Sequence, residues 1–192
     1  MSRDKLQYWN QVLGHQGYSS RFIPADESVT YSRIIIDLGK DYKERPLVME
    51  LKINSYLLPA ELKNADDAED HLEEEQIFQL LVVLPFLVEP RMIGEVARLL
   101  LLLNKPLDLP GFGLDEVTRL TYFRHSLLTK KGHLSPRVML AMVGTIAFLV
   151  ESLMPQIELV ANGSSTKEML AALVSQITEA NLDEDTDLRR TA

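Results

Sequence analysis

Apolar residues at helical spacing lie near the start of the chain. Leu6, Trp9 and Leu13 recur every three or four positions among polar neighbours, which is the pattern of a helix with one buried face. The spacing predicts a helix over 3–13. Gly14 is expected to end it, because glycine readily adopts the left-handed conformation of a helix terminus. The polar stretch that follows contains glycine and proline and predicts a loop.

Two segments with a period of two come next. Apolar and other residues alternate in YSRIIIDL (31–38) and again in PLVMELKIN (46–54). Because successive side chains of a strand point to opposite faces, this alternation predicts two half-buried strands. The polar connection between them, GKDYKERP, is typical of a hairpin.

The middle of the chain is rich in leucine. IFQLLVVLPFLV (77–88) is apolar at most positions, which predicts a strand covered at least in part on both faces, with Pro85 at its end or at a bulge. Pro90 suits the first turn of a helix predicted over 91–104. One stripe of that helix carries Ile93, Val96, Leu100 and Leu103. Further leucines widen this stripe, so the helix is expected to have two apolar neighbours.

A glycine pair follows this helix in the sequence PGFG. A phosphate-binding loop requires a strand before its glycines and a helix after them, so that backbone N–H groups and the helix dipole meet the anion. Here the helix comes first, and segments 112–117 and 120–128 predict a second hairpin. Gly111 and Gly113 are therefore interpreted as a bend between scaffold elements.

The longest predicted helix begins at Ser135, a suitable N-cap, followed by Pro136 in the first turn. It is expected to run to about Met154. No charged residue occurs over 138–150, and an apolar surface on all sides predicts a central helix buried on all sides. Pro155 is expected to end or bend it.

The order of elements predicts an α+β fold in which helices pack on one curved antiparallel sheet, in the order α-β-β-β-α-β-β-α. After Gly163 the sequence STKE forms a capping-box pattern that opens one more amphipathic helix. The expected organisation is a main domain over 1–162 that contains an acidic insertion over 61–76, an additional helix over 163–180 and a disordered tail over 181–192.

Composition narrows the possible functions. The chain has 192 residues, a net charge of −8 and no cysteine. The missing thiols exclude disulfides, thiolate nucleophiles and cysteine-ligated metals. An acidic protein is not expected to bind nucleic acid or anionic lipid. Both long apolar runs are shorter than the roughly 20 residues of a spanning helix, so no membrane insertion is expected.

Candidate chemical groups are few. The acidic segment 61–76 is expected to be solvated, because it lacks the regular oxygen spacing and central glycine of a calcium loop. The histidines show neither helical pairing nor a His-Glu-x-x-His motif; they are His15, His71, His125 and His133. His125 is expected to be hydrogen-bonded or solvent-facing. No metal site and no cofactor are predicted.

Catalytic and nucleic-acid-binding patterns are equally weak. Ser126 follows His125, but strand alternation separates their side chains. Neighbouring carboxylates occur at Asp115-Glu116 and over 73–75, as in any acidic protein. The adjacent basic pairs lack an aromatic setting; they are Lys130-Lys131 and Arg189-Arg190. No catalytic residue is predicted, and the chain is not expected to be an enzyme.

The predicted order resembles that of type III secretion chaperones of the small, acidic, dimeric class, whose fold also occurs in the YbjN family of bacterial proteins. MIGEVARLLLLLN (92–104) is similar to the second helix of that superfamily, which ends in Asn before a proline-bearing loop. FGLDE and LTYFRHSLL look like its fourth and fifth strands, and GHLSPRVMLAMVGTIAFLVESLMPQI like its long last helix. The resemblance covers roughly 3–160; the acidic segment 61–76 and the helix after Gly163 depart from it.

The resemblance implies a non-catalytic cytoplasmic homodimer that holds an extended segment of another protein on apolar grooves. It places the dimer on the second helix and an adjacent strand, here Ile93, Val96, Leu100 and Leu103. The alternative is that these side chains belong to the intramolecular core. The partner-binding residues stay open. An alternative function is a regulatory or sensory domain of the YbjN type, with a ligand that the sequence does not identify.

Overall fold

Six strands form one antiparallel sheet in the spatial order β1-β2-β3-β4-β6-β5. The computed structural model describes residues 2–56, 75–107, 111–130 and 134–169. The strands are β1 (Ser20–Ile23), β2 (Arg33–Lys40), β3 (Pro46–Tyr56), β4 (Glu75–Leu87), β5 (Phe112–Asp115) and β6 (Leu120–Lys130). The long helices are α1 (Ser2–His15), α2 (Ile93–Asn104, entered through the 3₁₀ turn Pro90–Met92) and α3 (Pro136–Ala161). The predicted α+β class and order of elements are confirmed, with β1 as an additional strand.

The helices cover one face of the sheet. In register, Ile36 lies opposite Met49, Met49 opposite Val82, and Val82 opposite Phe123. All of these side chains are buried. The ring of Trp9 from α1 meets that of Phe78 edge to face, with 5.8 Å between centroids, so the predicted apolar face of α1 packs on this side. The core therefore lies between the sheet and a single helical layer.

The first helix ends later than its sequence predicts. Gly14 lies within α1, and Gly17 has the left-handed conformation with φ of 85°. The N–H of Tyr18 donates to the carbonyl of Leu13 at 3.1 Å, which closes the helix terminus. Beyond this turn, β1 pairs with β2 where a loop was expected. A strand this short cannot show an alternation of apolar and polar residues in the sequence, and it is stabilised by pairing with its neighbour.

Strand β4 is fully covered on one face only; on the other face, which was predicted to be covered at least in part, Ile77 and Leu81 are half-buried. Leu80 and Leu84 are fully buried, whereas Val83 and Leu87 on the opposite face are exposed. The predicted bulge is confirmed, because the pairing of β4 with β6 shifts register between Val83 and Leu87, around Pro85.

The long helix α3 is also covered on one side only. Its buried residues follow helical spacing through Met139, Ile146 and Val150, whereas Phe148 is 67% exposed. The prediction that α3 is buried on all sides is wrong, because only one layer of the fold contacts it. Pro155 lies inside the helix without ending it.

At 26 residues, α3 is long and apolar enough by composition to cross a membrane. This corrects the expectation that the apolar run is too short to do so. Its buried stripe packs into the core, and such packing is compatible with a soluble protein.

The predicted capping box is confirmed at the start of the next helical turn. The N–H of Ser165 donates to Glu168 at 3.3 Å, and the N–H of Glu168 donates to the Ser165 hydroxyl at 3.1 Å. Thr166 donates through its hydroxyl to the carbonyl of Glu95 at 3.0 Å and through its N–H to the carboxylate at 3.1 Å. The turn is thereby anchored on α2. The predicted helix beyond Met169 and the predicted disordered tail lie outside the described residues.

The predicted bend after α2 is confirmed, and Asn104 holds it. Its amide donates to the carbonyl of Phe112 and accepts from the N–H of Phe112, both at 2.8 Å. A Cβ on Gly111 would lie 2.0 Å from the Asn104 side chain, and one on Gly113 would lie 2.5 Å from the ring of Tyr122. These glycines allow close packing of α2 and the second hairpin, in the order opposite to that of a phosphate loop.

Candidate functional site: the open face of the sheet

The densest group of charges ties the β2–β3 turn to the last turn of α3. Glu158 is 4% exposed. It accepts hydrogen bonds from the Tyr42 hydroxyl, from Lys43 at 2.9 Å, and from two nitrogens of Arg45 at 2.9 and 2.6 Å. Asp41 accepts from Arg45 Nε at 2.6 Å and from the N–H groups of Lys43 and Arg45. We call these five residues the Glu158 cluster.

The Glu158 cluster is a structural clamp. Burial raises the pKa of Glu158, but the hydrogen bonds from Arg45, Tyr42 and Lys43 outweigh it and lower the pKa to about 2. Burial and the bond to Glu158 raise the pKa of Tyr42 to about 12, and the bond to Glu158 raises the pKa of Arg45. A carboxylate whose oxygens are both occupied by strong donors is unsuited to proton abstraction. Arg45 also donates to the carbonyl of Pro85 at 3.1 Å, where the bulge interrupts the ladder.

The sequence contained no signal for this cluster beyond the polar turn. The hairpin prediction placed Asp41 through Arg45 in a connection between strands. Glu158 stands more than a hundred positions later on another element, and only the packing of α3 brings it to the turn. Charged residues that are far apart in the sequence meet only in the tertiary structure, and a local sequence pattern cannot predict such contacts.

The candidate catalytic residues do not form a site. His125 and Ser126 point to opposite faces of β6, as predicted, with His125 buried and Ser126 exposed. The Nδ1 atom of His125 has no hydrogen-bond partner among the described residues, so the expectation of a satisfied or solvent-facing histidine is wrong. Burial lowers the pKa of His125. Asp115 accepts from the N–H groups of Val117 and Thr118 and so stabilises the β5–β6 turn.

The remaining histidines and acidic groups add no metal site within the described ranges. His15 is exposed at the end of α1. No cluster of three potential ligands occurs among the residues that the structure describes. The predictions on His71, His133 and residues 61–74 of the acidic segment 61–76 fall outside those ranges, as do those on Lys131 and the arginine pair of the tail. The last two residues of that segment correct the expectation of a solvated segment, because Glu75 and Gln76 begin β4 and Gln76 is buried.

The predicted dimer stripe is partly internal. Val96 and Leu100 are buried within the single chain, and Ile93 and Leu103 are partly buried against the same core. The second apolar neighbour of α2 is thus α3 of the same chain. The outward-facing leucines of α2 are Leu101, which is 74% exposed, and Leu102, which is 43% exposed. A homodimer stays a prediction.

The sheet face opposite the helices is not covered by any of the described helices. One row across five strands pairs Arg21 with Ile35, Ile35 with Glu50, Glu50 with Leu81, and Leu81 with Arg124. We call the surface around this row the open face. Its other members are Arg33, Asp37, Val48, Lys52, Gln79, Val83, Leu87, Tyr122, Ser126 and Leu128, with Tyr31 beside them.

Exposed aliphatic side chains are spread over the open face. Val83 is 44% exposed and Leu128 is 58% exposed, and Val48 and Leu87 are similarly accessible. Each comes from a strand whose other side faces the core, so the apolar content of these strands exceeds what one covered face requires. The continuous apolar run of β4 was the sequence signal for this surface, and the prediction interpreted it as cover, at least in part, on both faces.

Charged groups on the open face are partly paired. Glu50 accepts from the Tyr31 hydroxyl at 3.0 Å, and its other oxygen lies 3.5 Å from Arg33 Nε. Lys52 Nζ lies 4.9 Å from the centroid of the Tyr31 ring, and burial raises the pKa of that tyrosine, with a further contribution from Glu50. Arg124 lies 5.9 Å from the Tyr122 ring.

No protein-family model matches the chain, and no curated protein is significantly similar to it. The functional argument therefore depends on the surfaces described above.

Proposed function

We propose that this protein is a non-catalytic protein-binding module that holds a segment of a partner protein on the open face of its sheet. The observation that carries the proposal is the one-sided cover of the sheet: helices bury one face, and the other exposes aliphatic side chains. Exposed apolar surface of this kind is typical of protein interaction sites. The resemblance to small secretion chaperones supports the same function and a cytoplasmic location.

The polar groups of the described chain favour binding over catalysis. The side chains of the Glu158 cluster already bind one another and hold the hairpin on α3. His125 is buried in the core. A ligand-sensing domain of the YbjN type would need a concave site with available polar groups. The open face offers a broad surface instead, which suits a polypeptide.

A photo-crosslinking amino acid at Val83 tests the proposal in the native host. Val83 lies in the middle of the open face, and Glu151, exposed on α3 of the helical layer, provides a matched control position. We expect a discrete protein adduct from position 83, identified by mass spectrometry and by the crosslinked peptide, and none from position 151. Equal adducts from both positions, or none from 83, would contradict the proposal.

The homodimer is the second part of the proposal. Because Val96 and Leu100 are buried in the core of the single chain, we assign the dimer contact to the exposed outer side of α2, at Leu101 and Leu102. Burial of these leucines against a second copy would remove apolar area from water. Light scattering of the purified chain measures the mass directly, and a monomer at all concentrations would refute this assignment.

A further inference from the structure

The open face carries more cations than carboxylates, although the whole chain has a net charge of −8. Arg21 and Arg124 stand at the two ends of the row that crosses the sheet. Building on the protein-binding function proposed above, we infer that the open face binds an acidic extended segment of a partner protein that presents both carboxylates and apolar side chains on one of its faces.

The cations of the open face are available to a partner. Among the described residues, Lys52 and Arg124 contact tyrosine rings and have no carboxylate within ion-pair distance. Glu50, in contrast, has both oxygens occupied, by Tyr31 and Arg33. The carboxylate of Glu50 is therefore largely neutralised, whereas Lys52 and Arg124 keep their charge for a ligand.

Apolar positions lie on both sides of Glu50 and between the cationic ends of the row, within reach of one extended segment. Leu81 lies between Glu50 and Arg124 in the row, and Val83 is paired with Tyr122 next to it. An extended chain that crosses the six strands needs about eight residues, given roughly 4.8 Å between strands and 3.3 Å per residue. Such a segment can place aliphatic side chains on the leucine and valine positions and carboxylates near the cations at the edges.

The surface favours an acidic polypeptide over a nucleic acid. Binding of single strands requires free aromatic faces on which bases stack, and here Lys52 and Arg124 already lie over the rings of Tyr31 and Tyr122. The exposed aliphatic side chains of the face would also find no apolar partner on a sugar–phosphate backbone. A second copy of the same face would bring like cations together.

Two fluorescent peptides test the inference by anisotropy with the full chain; they share the same apolar residues and carry either glutamate or lysine at every charged position, with charged and apolar residues on one face of the extended chain. We expect the glutamate peptide to bind at least about tenfold more tightly and to weaken as salt rises. Arg124→Glu and Lys52→Glu should each weaken it about three- to tenfold. Arg137→Glu, an equal charge change on the helical layer, should leave it unchanged.

Equal binding of both peptides, or no effect of Arg124→Glu and Lys52→Glu, would overturn the inference. Binding of an oligothymidine probe with loss in the same variants would overturn it in favour of nucleic acid, and a change of mass in those variants would indicate a second copy. If the crosslink from Val83 is as strong in Arg124→Glu as in the native chain, the protein-binding function stands while the acidic partner fails. If the crosslink is absent from the start, the proposed function itself fails.

Discussion

The substitution Glu158→Gln tests whether the Glu158 cluster holds the hairpin on α3. Glutamine keeps the size of the side chain and one acceptor oxygen, but it removes the negative charge. Its amide would face the donors of Arg45 or Tyr42, which now meet the second carboxylate oxygen. The turn would lose the charge that compensates Arg45, and the substitution creates no cavity.

The expected loss of stability follows from how deeply Glu158 and its partners are buried. Removing one partner of a buried ion pair costs about 3–5 kcal/mol. Glu158 is almost fully enclosed, but the side chain of Lys43 is 48% exposed and that of Arg45 is 27% exposed, so water screens part of the interaction. We therefore expect a loss of about 3 kcal/mol in the free energy of unfolding. For a chain of this size the melting temperature should fall by about 6–12 °C.

Lowering the pH should remove the difference in stability between the native chain and the Glu158→Gln variant. The pKa of Glu158 is about 2 in the folded chain, below the ordinary value of 4.5. The unfolded chain therefore binds a proton first, and the contribution of this carboxylate to stability is complete above pH 4.5. It declines as the pH falls through that value toward about 2. Urea unfolding, followed by circular dichroism at several pH values, measures both the loss of stability in Glu158→Gln and its dependence on pH.

Glu151→Gln is the matched control, because it makes the same change at an exposed position of the same helix. It should alter stability by less than about 0.5 kcal/mol. The reasoning would be refuted if Glu158→Gln were as stable as the native chain at neutral pH, or if its deficit did not shrink in acid.

Three further outcomes are expected from single positions. Burial lowers the pKa of His125, so the unfolded chain takes up a proton as pH falls below about 6.5; urea midpoints should decline over that range in the native chain and less in His125→Leu. Asn104→Ala should lower the free energy of unfolding by about 1–3 kcal/mol, because the N–H and the carbonyl of Phe112 both lose their hydrogen bonds to the Asn104 side chain. An unchanged urea midpoint would contradict this. Leu100→Asp should unfold the chain, whereas Leu101→Asp should stay folded and become monomeric, as circular dichroism and light scattering would show. A folded Leu100→Asp variant would disprove the assignment of Leu100 to the core.

Local patterns predicted the elements well because they depend on short-range periodicity. The alternation over 46–54 placed Met49 and Leu51 on the face that the structure buries, and the spacing of Leu6 and Trp9 identified the packed face of α1. The capping box at Ser165 and the bend after Asn104 were also predictable, because their hydrogen bonds join residues close in the chain.

The sequence by itself determined the α+β class, the order of the main elements and the buried side of most of them. Only the tertiary structure decided that β4 and α3 each keep one side uncovered, that β1 joins the sheet, and that Glu158 meets the turn at Arg45. The physical reason is that a hydrophobic period shows which residues share a face. Whether that face is covered depends on elements far away in the chain, and the open face exists because all the described helices pack on the other side of the sheet.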